Sequence, residues 1–350
     1  MNRSTVIDKR MERQGLSHPA GSEQAYEAIF RAQQPVPTIY FAEPGVPPQL
    51  RDRCTFDDGE LNFDLREDRT IVKARFNGGN VGYVYADDLE LYATVYRKAL
   101  PYLSEEQQLV YDCILRAGPL YREQMVEETG LKSSVITKAL GKLQRAFLVH
   151  VEQGDAYDIQ LWYDFMSEWS EVDLERRDRS VAIITILKRF ISNMVFATTQ
   201  QIKDWSRLTV KEVKAAIQTM VEAGDIVEVN LEGEQGYMLR EDHDELEGQS
   251  LTPPQSVHIV HRADYLARAH ESELKKRYKG YEVLQYIMVN GEFCGIVQGH
   301  WRIGPHDVDD IVIELPDKEK AQLKGEIIAE VSRFYNPPYS HILRYDGKDI

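Results

Sequence analysis

Two stretches of the chain carry the same apolar pattern 77 residues apart. Leu131 corresponds to Leu208, Ile136 to Val213, Ala139-Leu140 to Ala216-Ile217, Leu143 to Met220 and Val149 to Ile226. Repetition of a whole unit constrains the fold more than any short motif, because each copy must build the same supersecondary structure. In the first copy, Ser104-Glu-Glu-Gln is a capping box that opens a helix, and Gly118-Pro119 stops it. A short helix follows over 121–129 and ends at Gly130. Residues 132–145 then read as an amphipathic helix with Val135, Ile136, Ala139, Leu140 and Leu143 inward. Strands over 147–151 and 157–162 flank a Gln153-Gly154-Asp155 turn. The second copy places helices over 179–192, 199–205 and 209–223 and a hairpin of 226–229 with 236–239. Three helices and a hairpin are the winged-helix order. Tandem winged helices are therefore expected at 104–163 and 174–240.

The flanks read differently. Residues 1–103 begin with helices over 5–14 and 22–31 around a Gly15–Pro19 turn, and a Pro-rich stretch over 35–48 follows. Two hairpins are then expected: one about Asp57-Asp58-Gly59, with Glu60–Leu65 as its second strand, and one about Asn77–Asn80. Residues 249–256, with Pro253-Pro254, form a linker. Residues 255–350 return to a β period, with strands over 281–289 and 292–300 about Asn290-Gly291, a strand at 311–314 and a closing helix over 318–334. The fold class is α+β: an N-terminal α/β segment, the tandem winged helices, and a C-terminal β-rich domain closed by a helix.

Net charge is −15, which opposes nucleic acid on average. Its distribution does not. Between Arg176 and Lys214 there are nine Lys/Arg and three acids, so that stretch is locally +6. Cys54, Cys113 and Cys294 form no CxxC pair, which favours a reducing compartment. The first fifteen residues lack the apolar core of a signal peptide, and Lys188 and Arg189 interrupt the most apolar segment. A cytoplasmic location without a membrane is expected.

Third helices of winged units present small polar and basic residues to DNA. Here these are Lys132, Ser133, Ser134, Thr137 and Lys138 in the first unit, and Arg207, Thr209, Lys211 and Lys214 in the second. The alternative is a solvated face on a protein-interaction unit, and the acidic second hairpin, with Glu232 and Glu234, speaks for it. Gln33-Gln34 can hold a water and bond a sugar or base edge, or can simply be an exposed helix end. His261 and Arg262, with His258 and Asp264, read as a nucleic-acid contact or a structural ion pair. Lys275-Lys276-Arg277 with Lys279 reads as a solvated helix end or a phosphate contact. The group His300, His306, Asp307, Asp309 and Asp310 matches no metal-ligand spacing, so neither metal nor cofactor is expected. No Walker A, GxGxxG, GxSxG or Cys/His catalytic spacing occurs.

With these residues in view, the chain resembles the bacterial winged-helix DNA glycosylases that unhook alkylated bases and interstrand crosslinks. The resemblance rests on the Gln-containing turn Phe30-Arg-Ala-Gln33-Gln34-Pro35 and the stretch from Val81 to Leu89. It also rests on the Leu/Ala-patterned winged units and the terminal β region with its Asn290-Gly291 hairpin. It implies a partner, double-stranded DNA that is alkylated or crosslinked, and hydrolysis of an N-glycosidic bond. In that family a Gln-x-Gln or Gln-x-Asp pair positions water and stabilises the sugar cation. Arg31 stands where the first member falls and Gln33 where the second does, with Gln34 as an adjacent amide. The alternatives are a non-enzymatic DNA-binding protein, either a regulator or a lesion-recognition factor, and a protein-interaction scaffold.

Overall fold

The computed structural model describes residues 1–38, 47–153, 160–300, 307–335 and 341–350. Asn2 caps α1 (Arg3–Arg13) and Ser22 caps α2 (Glu23–Gln33), each accepting a backbone N–H from the first turn. The segment after the Pro-rich stretch corrects one expectation. Asp57-Asp58-Gly59 does not turn a hairpin. Asp57 accepts the Gly59 N–H and opens α3 (Asp58–Glu67). The reason is chemical: Asp57 is a good N-cap, Asp58 and Glu60 favour the positive end of a helix dipole, and Leu61 and Leu65 fall four residues apart on one face. Asp58 also anchors the interior, where its carboxylate accepts from Tyr26 Oη at 2.9 Å and the Leu50 N–H at 2.6 Å. The second hairpin forms as expected, with β1 (Ile71–Phe76) antiparallel to β2 (Asn80–Tyr85), and the chain then enters α4 (Leu89–Tyr96).

The first repeat unit comprises α5 (Glu105–Ala117), β3 (Leu120–Tyr121), α6 (Arg122–Thr129), α7 (Ser133–Arg145), β4 (Val149–Gln153) and β5 (Gln160–Asp164). Its three strands lie in the order β3-β5-β4, and the Ser104 capping box is present. Gly154 and Asp155, assigned to the turn, lie outside the described residues, as do Tyr157 and His306. After the short α8 (Phe165–Glu168), the second unit comprises α9 (Arg179–Met194), α10 (Thr199–Ser206), α11 (Val210–Glu222), β6 (Ile226–Leu231) and β7 (Glu234–Leu239). Both units have three helices followed by a hairpin.

The two units are embedded differently. Val110, Ile114, Ile136, Leu140, Leu143 and Trp162 form a core belonging to the first unit alone. Phe190, Trp205, Val213 and Met220 of the second instead join Ile7 and Met11 of α1, Tyr92 of α4, and residues of the C-terminal region in one continuous core. The second hairpin is likewise enclosed. Leu231 and Met238 pack with Val6, and Arg3 lies against Glu232, Glu234 and Glu292. The acids that seemed to argue against DNA thus hold the amino terminus. From α12 (Arg240–Leu246), Asp242 receives both guanidinium nitrogens of Arg13, and its side chain is 1% exposed.

The C-terminal region holds β8 (Val257–His261), α13 (Tyr265–Ala269), α14 (Glu271–Arg277), β9 (Val283–Val289), β10 (Glu292–Gly299), β11 (Val308–Ile313), α15 (Asp317–Phe334), β12 (Arg344–Tyr345) and β13 (Lys348–Asp349). Its six strands run in the order β13-β12-β11-β10-β9-β8. Leu323, Ile327 and Val331 of α15 cover one face. The β8 edge brings His258 and His261 against the amino-terminal segment, where the site lies.

A candidate active site beside a basic cleft

Gln33 ends α2 with its side chain 2% exposed. Its Nε2 donates only a long bond, 3.4 Å, to the main-chain oxygen of Gln14, and its Oε1 has no hydrogen-bond partner among the described residues. An unpaired buried amide oxygen costs about 1–3 kcal/mol, so such an atom calls for a water or a ligand. Gln33 lines a narrow cavity of 40 Å³ together with Asp52, Arg53, His258, His261 and Asp264. That volume admits water but not a nucleobase. Behind Gln33, the Gln14 Oε1 also lacks a hydrogen-bond partner among the described residues, while Gln14 Nε2 donates to the Asn193 main-chain oxygen at 3.2 Å. The buried polar zone thus extends inward from the cavity.

The neighbouring amide has another role. Gln34 is fully buried, with Nε2 donating to Asp88 and Oε1 accepting the Tyr85 N–H at 3.0 Å. Its own carbonyl accepts from Tyr92 Oη at 3.0 Å. Both ends of the side chain tie α2 to β2 and α4, so the amide expected to act beside Gln33 is engaged within the fold. Neither glutamine is an exposed helix end. Arg31 is held outside, bonded to Glu27 and Asp87 at 2.7 Å and stacked over the Tyr85 ring at 3.9 Å.

Charge in the cavity is fixed by its walls. Burial opposes ionisation of Asp52, but the bond to His258 and the Arg333 and Arg53 guanidinium groups outweigh it and hold the carboxyl below its ordinary range. Arg53 bonds Asp264 at 2.9 Å, and Asp264 caps α13. Burial, then repulsion from Arg262, Arg268 and Arg51, pushes the His261 pKa down to about 3. His261 Nδ1 accepts the Ala263 N–H at 3.2 Å, so the neutral ring carries its proton on Nε2.

His270 is similarly pushed down to about 4, by burial first and by Arg10. Its Nδ1 donates to the Leu266 oxygen at 2.9 Å, and its Nε2 lies 2.8 Å from the Gln201 amide. For both histidines the unfolded chain takes up a proton near pH 6.5 and the folded protein does not. Stability is full above pH 6.5 and falls as pH drops toward 4, by about 1.4 kcal/mol per pH unit per histidine. Denaturant midpoints at pH 7 and pH 5 should show this loss, and His270→Gln should shrink it by about half. An unchanged pH dependence in that variant would place the acid lability elsewhere.

The turn from His261 to Asp264 is a wall between two cavities. His261 and Asp264 face the Gln33 cavity, while Arg262 and Ala263 face a cleft of 620 Å³. Arg207, Arg262, Arg268, Lys275 and Lys279 line that cleft against two acids, Glu271 and Glu282, with Tyr278, Tyr281 and Tyr286 among them. Arg207 pairs with Glu271, and Lys275 shares the same carboxylate. Arg207 is a helix C-cap in the left-handed region, φ 58°. The β1–β2 turn seats on it: Asn77 Nδ2 donates to the Trp205 oxygen at 3.1 Å, and a Cβ on Gly78 would stand 3.2 Å from the Arg207 side chain.

Of the residues read from sequence, Gln33 and His261 therefore meet in one cavity, and Arg207 and Arg262 in the adjoining cleft. Lys132, Ser133, Ser134 and Lys138 are exposed on the first unit and line neither, and Thr137 faces a separate cavity. Lys211 and Lys214 are exposed on α11 and also line neither. Thr209 is occupied as a helix cap, exchanging bonds with Glu212. Asp52, Arg268 and Tyr281 escaped sequence reasoning. Lys275 and Lys279, read from sequence as a solvated helix end or a phosphate contact, also line the cleft, and nothing marked Asp52. His300 lies between Glu282 and Asp309, and no group of three or more metal-ligating side chains occurs among the described residues.

Residues 50–273 match the family described as DNA glycosylase AlkZ-like. The DNA glycosylase AlkZ of Streptomyces sahachiroi is a similar solved structure, at 14% identity and a TM-score of 0.71, covering 98% of this chain and 99% of that one. No curated protein matches the chain in sequence. Among the described residues, no helix is long and apolar enough to cross a membrane.

Proposed function

The chain belongs to the AlkZ-like family of DNA glycosylases, and on that premise we propose that it hydrolyses the N-glycosidic bond of alkylated or crosslinked purines in double-stranded DNA. Membership gives it a DNA-glycosylase-like repair function with DNA as substrate. The observation that carries the finer reading is the buried Oε1 of Gln33, unpartnered among the described residues, at the edge of a water-sized cavity. Alkylation at a ring nitrogen makes the purine a cationic leaving group. The C1′–N bond breaks with its electron pair going to the base, and the positive charge passes to the sugar. Gln33 Oε1 accepts a hydrogen bond from the water that adds at C1′, and the proton shed by that water leaves through solvent. The ionised Asp52 favours the sugar cation electrostatically. No strong base is required, in keeping with an amide at the centre of the site.

The cleft across the His261–Asp264 wall supplies the grip on the phosphodiester backbone, with Arg207, Arg262 and Arg268 as anchors. The two three-helix units at 104–163 and 174–240 act as its frame, and Lys132, Ser133, Ser134, Thr137, Lys138, Lys211 and Lys214 are further DNA contacts outside the cleft. We place the reaction in the cytoplasm, in keeping with three free cysteines. A second reading, lesion binding without base release, draws support from Arg31, which is committed to Glu27 and Asp87.

Two measurements on one duplex carrying an N-alkylated purine separate the readings. Base release above the spontaneous rate supports hydrolysis, whereas salt-sensitive binding without release supports the second. Arg262→Ala with Arg268→Ala should lower the slope of log K against log salt by about 2, because each lost phosphate contact removes about 0.9. Lys211→Ala with Lys214→Ala should change it less. The reverse order would move the backbone contacts onto α11.

A further inference from the structure

A cavity of 720 Å³ lies between the β1–β2 hairpin and the first unit, on elements apart from those of Gln33. Lys73, Arg75 and Arg122 line it together with the exposed Tyr121 and an edge of the largely buried Trp162. Arg122 pairs with Glu123, which also lines the cavity, at 2.9 Å, but the two inner cations are poorly compensated. Lys73 is 9% exposed and makes no side-chain hydrogen bond or ion pair among the described residues. The opposite charge that acts on it, Glu152, is bonded to His150 at 2.7 Å. Among the described residues Arg75 bonds only neutral oxygens, Gln144 Oε1 at 2.6 Å and the Gly79 carbonyl at 3.0 Å, and faces Arg145. Burial accordingly lowers the Lys73 pKa. Charges buried without a counter-ion are costly, and an anion in the cavity would offset that cost. The aromatic wall adds a second requirement, since it suits a flat π-system.

We propose that this cavity binds a nucleotide unit, with its phosphate on Lys73 and Arg75 and its base against Trp162. The unit can come from a DNA strand running past α7, which carries the exposed Lys138 and follows the exposed Lys132, or from a free mononucleotide. Neither source depends on base release at Gln33.

The test uses the full chain at low salt, by tryptophan fluorescence and thermal shift. The probes are inorganic phosphate, deoxyadenosine monophosphate and a short single-stranded oligonucleotide. Wild type should show saturable quenching that Trp162→Phe removes, together with a rise in Tm. Lys73→Met should raise the Tm of the ligand-free protein, because it removes an uncompensated charge, and should weaken binding at least 10-fold. Arg122→Ala, at the exposed rim, should weaken binding without changing the ligand-free Tm. A response to the mononucleotide identifies a free nucleotide site, and a response to the oligonucleotide alone identifies a strand site; both support the proposal. It is overturned if no probe gives Trp162-dependent quenching, or if Lys73→Met binds like wild type. Phosphate binding as tight as the mononucleotide, with no dependence on Trp162, also overturns it.

Discussion

Gln33→Met should lower the single-turnover rate of base release by about 100-fold or more while leaving DNA affinity within about twofold. Losing one preorganised polar contact at a reacting centre costs about 10²–10³ in rate. The side chain touches no part of the basic cleft, so ground-state binding has little to lose. Methionine also matches the glutamine in length and removes a buried unpaired oxygen. The variant should therefore fold at least as stably as wild type, as expected when an unsatisfied polar group is replaced by an apolar one of similar shape. Gln34→Met should behave in the opposite way. It strands the Tyr85 N–H and one oxygen of Asp88, both poorly exposed. Its effect should be a loss of stability of about 2–3 kcal/mol, with any loss of rate following from that. Parallel melting curves and single-turnover rates check the pair. If Gln34→Met lost catalysis at full stability while Gln33→Met kept it, the two roles would be exchanged.

Arg13→Met should destabilise the protein by about 3–5 kcal/mol, the cost of leaving a buried charge without its partner. Asp242 is the reason. Its carboxylate is almost wholly buried and receives two nitrogens of one guanidinium, which also donates to the Ser192 oxygen. These contacts tie α1 to α12 and to the end of α9. The double variant Arg13→Met with Asp242→Leu should recover most of the loss, because the uncompensated charge is then absent. Denaturant unfolding of the three proteins measures the coupling. Additive losses would show that the two residues act independently.

Much of this architecture could be read from residue patterns. Ser104, Thr198 and Thr209 each open a helix through a reciprocal capping box, a local event that depends on four consecutive residues. Asn290-Gly291 likewise turns β9 into β10 by its own backbone preference, with φ of 49° and 81°. The misreading at Asp57-Asp58-Gly59 has the same origin, since Asp before Gly suits a hairpin and a helix cap equally. The acids at the first turn and the Leu61–Leu65 face favour the helix, and Tyr26 and Leu50 hold Asp58 there from outside the segment. The site was only half visible for a comparable reason. Gln33 and His261 are 228 positions apart and meet because β8 packs against the amino-terminal segment. Asp52 sits beside them through a loop with no periodic pattern. Arg268 reads as one basic residue on a short helix, and its place in the cleft follows from the packing of α13 on α10. Arg207, Lys211 and Lys214 looked like one basic face, yet the left-handed cap at Arg207 turns it toward the cleft and away from α11.

The Gln33 cavity is proposed to hydrolyse the bond between a damaged purine and its sugar. The most direct measurement is single-turnover release of an N-alkylated purine from a defined duplex, with protein in excess at a salt concentration where binding is complete. Wild type should release free base and leave an abasic strand at least 100-fold faster than Gln33→Met. Equal rates in the two proteins, with both fully bound, would contradict the claim.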